Sequence, residues 1–141
     1  MQFFYLCNTE QDFAGLDLAL KGEGFSYSLA FATNTEKALK ALSQNYDIIF
    51  VQAAYPLSGL NTILSHCILK DTPLLFVLKD YSEEEKALEF VLRGAADYFT
   101  LKSSHRIKAI ISRELRCKRK IQALEGTHTT QLLKLQLLES A

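Results

Sequence analysis

Short apolar runs alternate with amphipathic stretches along most of the chain. Phe3 to Leu6 is apolar and predicts a first strand. Asn8 or Thr9 can cap the helix that follows, in which Phe13, Leu16 and Leu20 recur at helical spacing until Gly22 and Gly24 stop it. Ser26 to Ala32 predicts a second strand, polar enough for a sheet edge. Thr35 is the expected cap of a short helix carrying Ala38, Leu39 and Leu42. Then Ile48, Ile49, Phe50 and Val51 are apolar without alternation, the pattern of a parallel strand covered on both faces. This strand ends at Gln52, before small Ala53 and Ala54 and a turn at Pro56.

A third helix is weakly marked, from Gly59 to about Leu69. Thr72-Pro73 leads into a fourth strand, Leu74 to Leu78. Ser82 with Glu85 has the spacing of a capping box, and the helix it predicts carries Ala87, Phe90 and Val91 and ends at Gly94. Asp97 to Leu101 predicts a fifth strand. Ser103 or Ser104 is the expected cap of a long helix from about His105 to Glu125. Gly126 to Thr130 reads as a break, and Gln131 to Leu138 is leucine-rich.

Five alternations of strand and helix predict an α/β fold with helices on both faces of a parallel sheet. Right-handed crossovers leave few topologies. The flavodoxin-like (βα)5 three-layer sandwich, with strand order 2-1-3-4-5 and an extended C-terminal helix, fits this length. The expected division is a globular domain over 1–120 and a helical extension or connector over 121–141.

Composition narrows the function classes. The chain has 141 residues, 48% hydrophobic and 23% charged, with a formal net charge of zero. Zero net charge argues against broad electrostatic capture of nucleic acid or of a membrane surface. No apolar run approaches the roughly 20 residues of a membrane span. Cys7, Cys67 and Cys117 are far apart and form no metal-binding spacing, which predicts reduced thiols and a cytoplasmic location. No GxGxxG or P-loop occurs, so no cofactor is expected.

In open α/β sheets the chemistry sits beyond the carboxyl ends of the strands, which directs attention to Gln52. Several motifs around it occur in a telling order. They are Gly24-Phe25, Glu36-Lys37-Ala38-Leu39, Asp47 five residues before Gln52, Tyr55-Pro56, Thr72-Pro73, and Gly94-Ala95-Ala96-Asp97-Tyr98. In this order and spacing the chain resembles the receiver domain of two-component response regulators over about residues 2 to 120. The resemblance implies a phosphate acceptor at the end of strand three, where this chain has Gln52. It implies two acidic Mg²⁺ ligands after strand one, where Cys7 and Asn8 stand. It implies a Thr or Ser at Leu78 and a Lys at Leu101, with Lys102 one residue late.

An amide cannot form the acyl phosphate of a carboxylate, and Mg²⁺ prefers charged oxygen ligands. A one-residue offset also turns Lys102 to the other side of a strand. The five positions together describe a pseudo-receiver that has lost the acceptor Asp. Leu78 and Leu101 also suit plain core filling, and Cys7 suits a small buried hydrophobe. Glu10, Asp12 and Asp80 are the remaining acids near these positions. Tyr98 matches the aromatic residue that, in the resembled family, couples the acceptor site to a signalling face.

In the last helix Ile107, Ile110, Glu114, Cys117, Ile121 and Leu124 recur at spacings of three and four, the cadence of a short coiled-coil seam. The earlier positions suit the core. Ile110, Cys117, Ile121 and Leu124 are the candidates for a dimer or partner helix. Residues 102–120 hold eight Lys or Arg against one acid, Glu114. A solvated face accounts for this more simply than DNA binding, since no helix-turn-helix pattern is present.

The expected function is a non-enzymatic, phosphorylation-independent signalling module. Its partners would be proteins: a second copy through helices four and five or the C-terminal helix, a kinase, a phosphorelay protein or a fused output domain. A sensor holding a small ligand in the vacated pocket is the alternative. A flavin-binding protein is a weaker one, because the loop after strand one has no glycine and carries Glu10 and Asp12.

Overall fold

The computed structural model describes residues 1–103 and 105–117. Five strands, β1 (Gln2–Leu6), β2 (Ser28–Ala32), β3 (Ile48–Gln52), β4 (Leu74–Leu78) and β5 (Asp97–Thr100), form one sheet in the order β2-β1-β3-β4-β5. Every pairing is parallel, with Phe4 beside Ile49, Val51 beside Phe76 and Leu78 beside Thr100. The helices are α1 (Glu10–Gly22), α2 (Thr35–Ala41), α3 (Leu57–Leu69), α4 (Glu84–Leu92) and α5, described over residues 105–117. This is the three-layer, flavodoxin-like fold that the hydrophobic pattern predicts.

Alternation along each strand divides the core in two. Phe4, Leu6, Ile49, Val51, Phe76 and Leu78 face α2, α3 and α4. Phe3, Tyr5, Cys7, Phe50, Leu75 and Phe99 face α1 and α5, where Leu16, Leu20, Ile107 and Ile111 meet them. Each fully buried Phe, Leu or Ile side chain adds roughly 1.5–3 kcal/mol by leaving water. β3 and β4 are covered on both faces, which is why they carry unbroken apolar runs. β2 is half exposed and lies at the edge, in keeping with its polar sequence.

Several element ends differ from the sequence pattern. Asn34, not Thr35, caps α2, with its Oδ1 accepting from the Lys37 amide at 2.8 Å. Thr35 is the first helical residue, and its hydroxyl bonds the Tyr55 hydroxyl at 3.0 Å instead. The Ser82–Glu85 capping box does not form. Asp80 caps a single 3-10 turn, Tyr81–Glu83, through the Ser82 amide, and α4 starts behind it at Glu84. The Asx turn at Asp80 takes the Ser82 amide from which the Glu85 carboxylate would accept in a capping box. α3 begins at Leu57, two residues before Gly59. Gly59 serves packing: a Cβ there would stand 2.4 Å from Tyr55 Cε1 and 2.6 Å from Thr35 Oγ1.

Ile110 is buried in the α1/α5 layer, which removes it from any surface seam. Cys117 is exposed. Ile121 and Leu124, with the whole extension 121–141, lie outside the described residues. No helix among the described residues is long and apolar enough to cross a membrane.

Candidate functional site

The loops after β1, β3 and β4 converge at the carboxyl edge of the sheet. Gln52 ends β3, and its Oε1 accepts a hydrogen bond from the Asn8 amide at 2.8 Å. Gln52 and Asn8 are thus joined, but through the main chain of Asn8. One residue earlier, Cys7 is fully buried, and its Sγ donates to the Thr9 carbonyl at 3.3 Å. Burial, then the nearby Asp12 charge, push the Cys7 thiol up to about 11. It is a protonated core group at neutral pH, not a nucleophile.

Leu78 ends β4 and is fully buried against the α2–α4 side. Leu101 follows β5 and packs toward α1, its Cδ1 3.7 Å from where a Cβ on Gly15 would lie. Gln52, Asn8 and Cys7 are therefore brought together. Leu78 belongs to the core layer on the α2–α4 side, and Leu101 packs against the layer on the α1 side. Of the four positions around which a ligand-sensor reading places its pocket, Cys7 and Leu78 are buried, Gln52 is half-buried and Asn8 is exposed.

Two acids near this edge, Asp12 and Asp80, are engaged elsewhere. Thr9 caps α1: its Oγ1 accepts from the Asp12 amide at 3.2 Å, while Asp12 Oδ2 accepts from the Thr9 amide at 3.1 Å. Asp80 accepts from both the amide and the hydroxyl of Ser82, and these bonds lower its carboxyl below the usual range. Among the described residues no group of three or more His, Cys, Asp or Glu is placed to hold a metal. A buried thiol, one neutral side-chain amide and a glutamine oxygen already bonded do not fit the hard oxygen set that Mg²⁺ requires.

One cation does reach the site, and it comes from α4. Lys86 Nζ donates to the Ala53 carbonyl at 2.6 Å and approaches the Tyr55 carbonyl at 3.5 Å. Both carbonyls belong to the loop directly after Gln52. The spacing of apolar residues does not indicate this contact. Charge alone would keep a lysine set among Glu83, Glu84, Glu85 and Glu89 on that acidic face, so the sequence carries no signal for it.

The neighbouring face is built differently. The Tyr98 hydroxyl on β5 donates to Glu84 Oε1 of α4 at 2.5 Å, and this bond raises its pKa. The Arg106 guanidinium of α5 lies 5.3 Å from the Tyr98 ring centre and 3.3 Å from Asp97 Oδ1. Arg113, about two turns further along α5, donates to Asp97 Oδ2 at 2.9 Å and to Glu114 Oε1 at 3.0 Å. A charged and aromatic network thus joins α4, β5 and α5.

A cleft of about 440 Å³ opens at the opposite edge of the sheet, between the ends of α2 and α3. Lys70 Nζ and His66 Nε2 donate there to the Leu42 carbonyl, at 2.6 and 3.4 Å, and close the end of α2. Cys67 lines the cleft, with burial pushing its thiol up to about 12.

No family model matches the chain, and no curated protein does. Solved structures do. A response regulator receiver domain protein from Clostridium thermocellum superposes with a TM-score of 0.71 at 13% identity, covering 85% of this chain and 98% of that one. The N-terminal domain of a response regulator/sensory box/GGDEF 3-domain protein from Carboxydothermus hydrogenoformans gives 0.69 at 17% identity, covering 85% and 98%. A response regulator from Thermotoga maritima gives 0.63 at 24% identity, covering 79% and 97%. The chain has the fold of response regulator receiver domains.

Proposed function

We propose that this chain is a receiver-like signalling module that works by protein contact and not by aspartyl phosphorylation. One observation carries the reading. At the end of β3, where a receiver would present its acceptor carboxylate, Gln52 presents an amide whose oxygen is bonded to the Asn8 amide. Around it stand a buried thiol and a buried leucine instead of acids and a hydroxyl. The network of Glu84, Tyr98, Arg106 and Asp97 supports a retained contact face on α4, β5 and α5. The proposed partners are proteins: a second copy, a kinase, a phosphorelay protein or an output domain.

The test is intact-protein mass spectrometry after incubation with Mg²⁺ and acetyl phosphate. The expected result is an unmodified mass, with amide NMR resonances around Gln52 unchanged by Mg²⁺ and a phosphoryl mimic. A stable one-phosphate adduct would overturn the reading.

A further inference from the structure

The first turn of α4 is gripped from two sides. On one side Lys86 donates to the Ala53 carbonyl at 2.6 Å and lies 3.5 Å from that of Tyr55. On the other, Glu84 accepts from the Tyr98 hydroxyl at 2.5 Å. Behind it, Glu83 Oε1 accepts from the Lys79 amide at 3.0 Å and holds the turn to the end of β4. The loop that Lys86 holds is itself continuous with the site. The Ala53 amide donates to the Val77 carbonyl, the Tyr55 amide donates to the Gln52 carbonyl, and the Gln52 side chain holds the Asn8 amide. Hydrogen bonds therefore run from the β1–α1 loop through Gln52 to Lys86, and the main chain of the first turn of α4 continues from Lys86 to Glu84, which bonds Tyr98.

We propose that Lys86 is a positioning residue: its ammonium ties the β3–α3 loop to α4 and holds the Tyr98 face in one standing arrangement. The chemistry suits a permanent tie. A half-buried ammonium bonded to main-chain carbonyls makes charge-assisted bonds that need no bound ion and no modification. The two carbonyls replace the water that a partly buried ammonium gives up, so the closed loop leaves the cation satisfied. The two ends of the tie are thus favoured together. The inference rests on the proposed function for the meaning of the face, but the tie itself is read by a different measurement.

The experiment is amide hydrogen exchange and side-chain NMR on the full chain, comparing wild type with Lys86→Met and Lys86→Arg. Methionine keeps the stem and the helix propensity and removes the donors. In Lys86→Met the Tyr55 amide is expected to exchange faster by on the order of tenfold. The Tyr98 ring and Glu84 amide resonances are expected to shift, while core amides of Leu20 and Ile110 on the far side of the sheet keep their rates. Lys86→Arg, which retains donors, is expected to stay close to wild type. Unchanged exchange at Tyr55 would overturn the tie. Faster exchange at Tyr55 with Tyr98 and Glu84 unmoved would overturn the coupling. A phosphate adduct in the mass experiment would sink the proposed function and leave this result standing.

Discussion

The carboxyl edge around Gln52 and the face around Tyr98 are neighbours, and they are built from opposite materials. At the edge, Cys7 and Leu78 are fully buried and Gln52 is bonded to the main chain of Asn8. At the face, a phenol, two carboxylates and two guanidinium groups stay near solvent and bond one another. Packed side chains dominate the first region, while the second carries charged and aromatic groups near solvent. The contrast separates two demands that a phosphorylated receiver makes at once. A reactive site requires charges held close together at a cost in solvation, and a contact face requires accessible groups with fixed geometry. The proposed function answers the second demand without the first.

The contrast can be broken first at Cys7. With its thiol near 11, only about one molecule in a thousand carries the thiolate at pH 8. Alkylation of Cys7 is therefore expected to be negligible in the folded protein and fast in denaturant, as mapped by peptide mass spectrometry. Rapid folded-state labelling would restore a reactive site. Leu78→Thr comes next. It returns the hydroxyl of the receiver pattern but puts it in a packed interior and leaves a gap. A loss of about 2–4 kcal/mol is expected in urea unfolding. A change under about 0.5 kcal/mol would mean that the edge is not core.

Tyr98→Phe tests the face. Removing its bond to Glu84 is expected to lower stability by about 1 kcal/mol in urea unfolding. The pH dependence follows from the raised pKa of Tyr98, whose first cause is that bond to Glu84. The contribution is fully present below the ordinary tyrosine value of 10.0 and is lost as pH rises through the higher folded value. The difference between wild type and Tyr98→Phe should accordingly hold constant in neutral solution and shrink in strong alkali. A difference that grew above pH 10 would contradict this sign. The smallest effect is expected from Gln52→Asp. A carboxylate alone, without the acids, the hydroxyl and the lysine of the receiver pattern, should give no phosphate adduct with acetyl phosphate and Mg²⁺. An adduct would show that the missing acceptor was the whole of the loss.

Much of the fold was legible from the one-dimensional pattern. Unbroken apolar runs at Ile48–Val51 and Leu74–Leu78 marked the doubly covered strands, and the polar run ending at Ala32 marked the edge. Cap positions were less legible because adjacent residues share the same chemistry. Asn34 and Thr35 can both cap, and the extended backbone of Asn34, with φ −141° and ψ 156°, decides between them. Ser82 lost its expected role because Asp80 took the Ser82 amide. Ile110 has a helical spacing that suits a seam and a core equally, and the position of α5 against α1 places it in the core.

What the sequence determined by itself is the chemistry that Gln52, Cys7, Asn8 and Leu78 lack. Residue type sets whether a side chain can form an acyl phosphate or bind a hard cation, whatever surrounds it. What only the tertiary structure decided is how the remaining groups are used. Whether Asp12 faces a ligand or caps a helix, and whether Lys86 waves in water or holds the loop after Gln52, depends on distances between elements far apart in the chain. Hydrogen bonds lose their strength within an ångström or so, and no periodicity along a chain encodes a separation of that size.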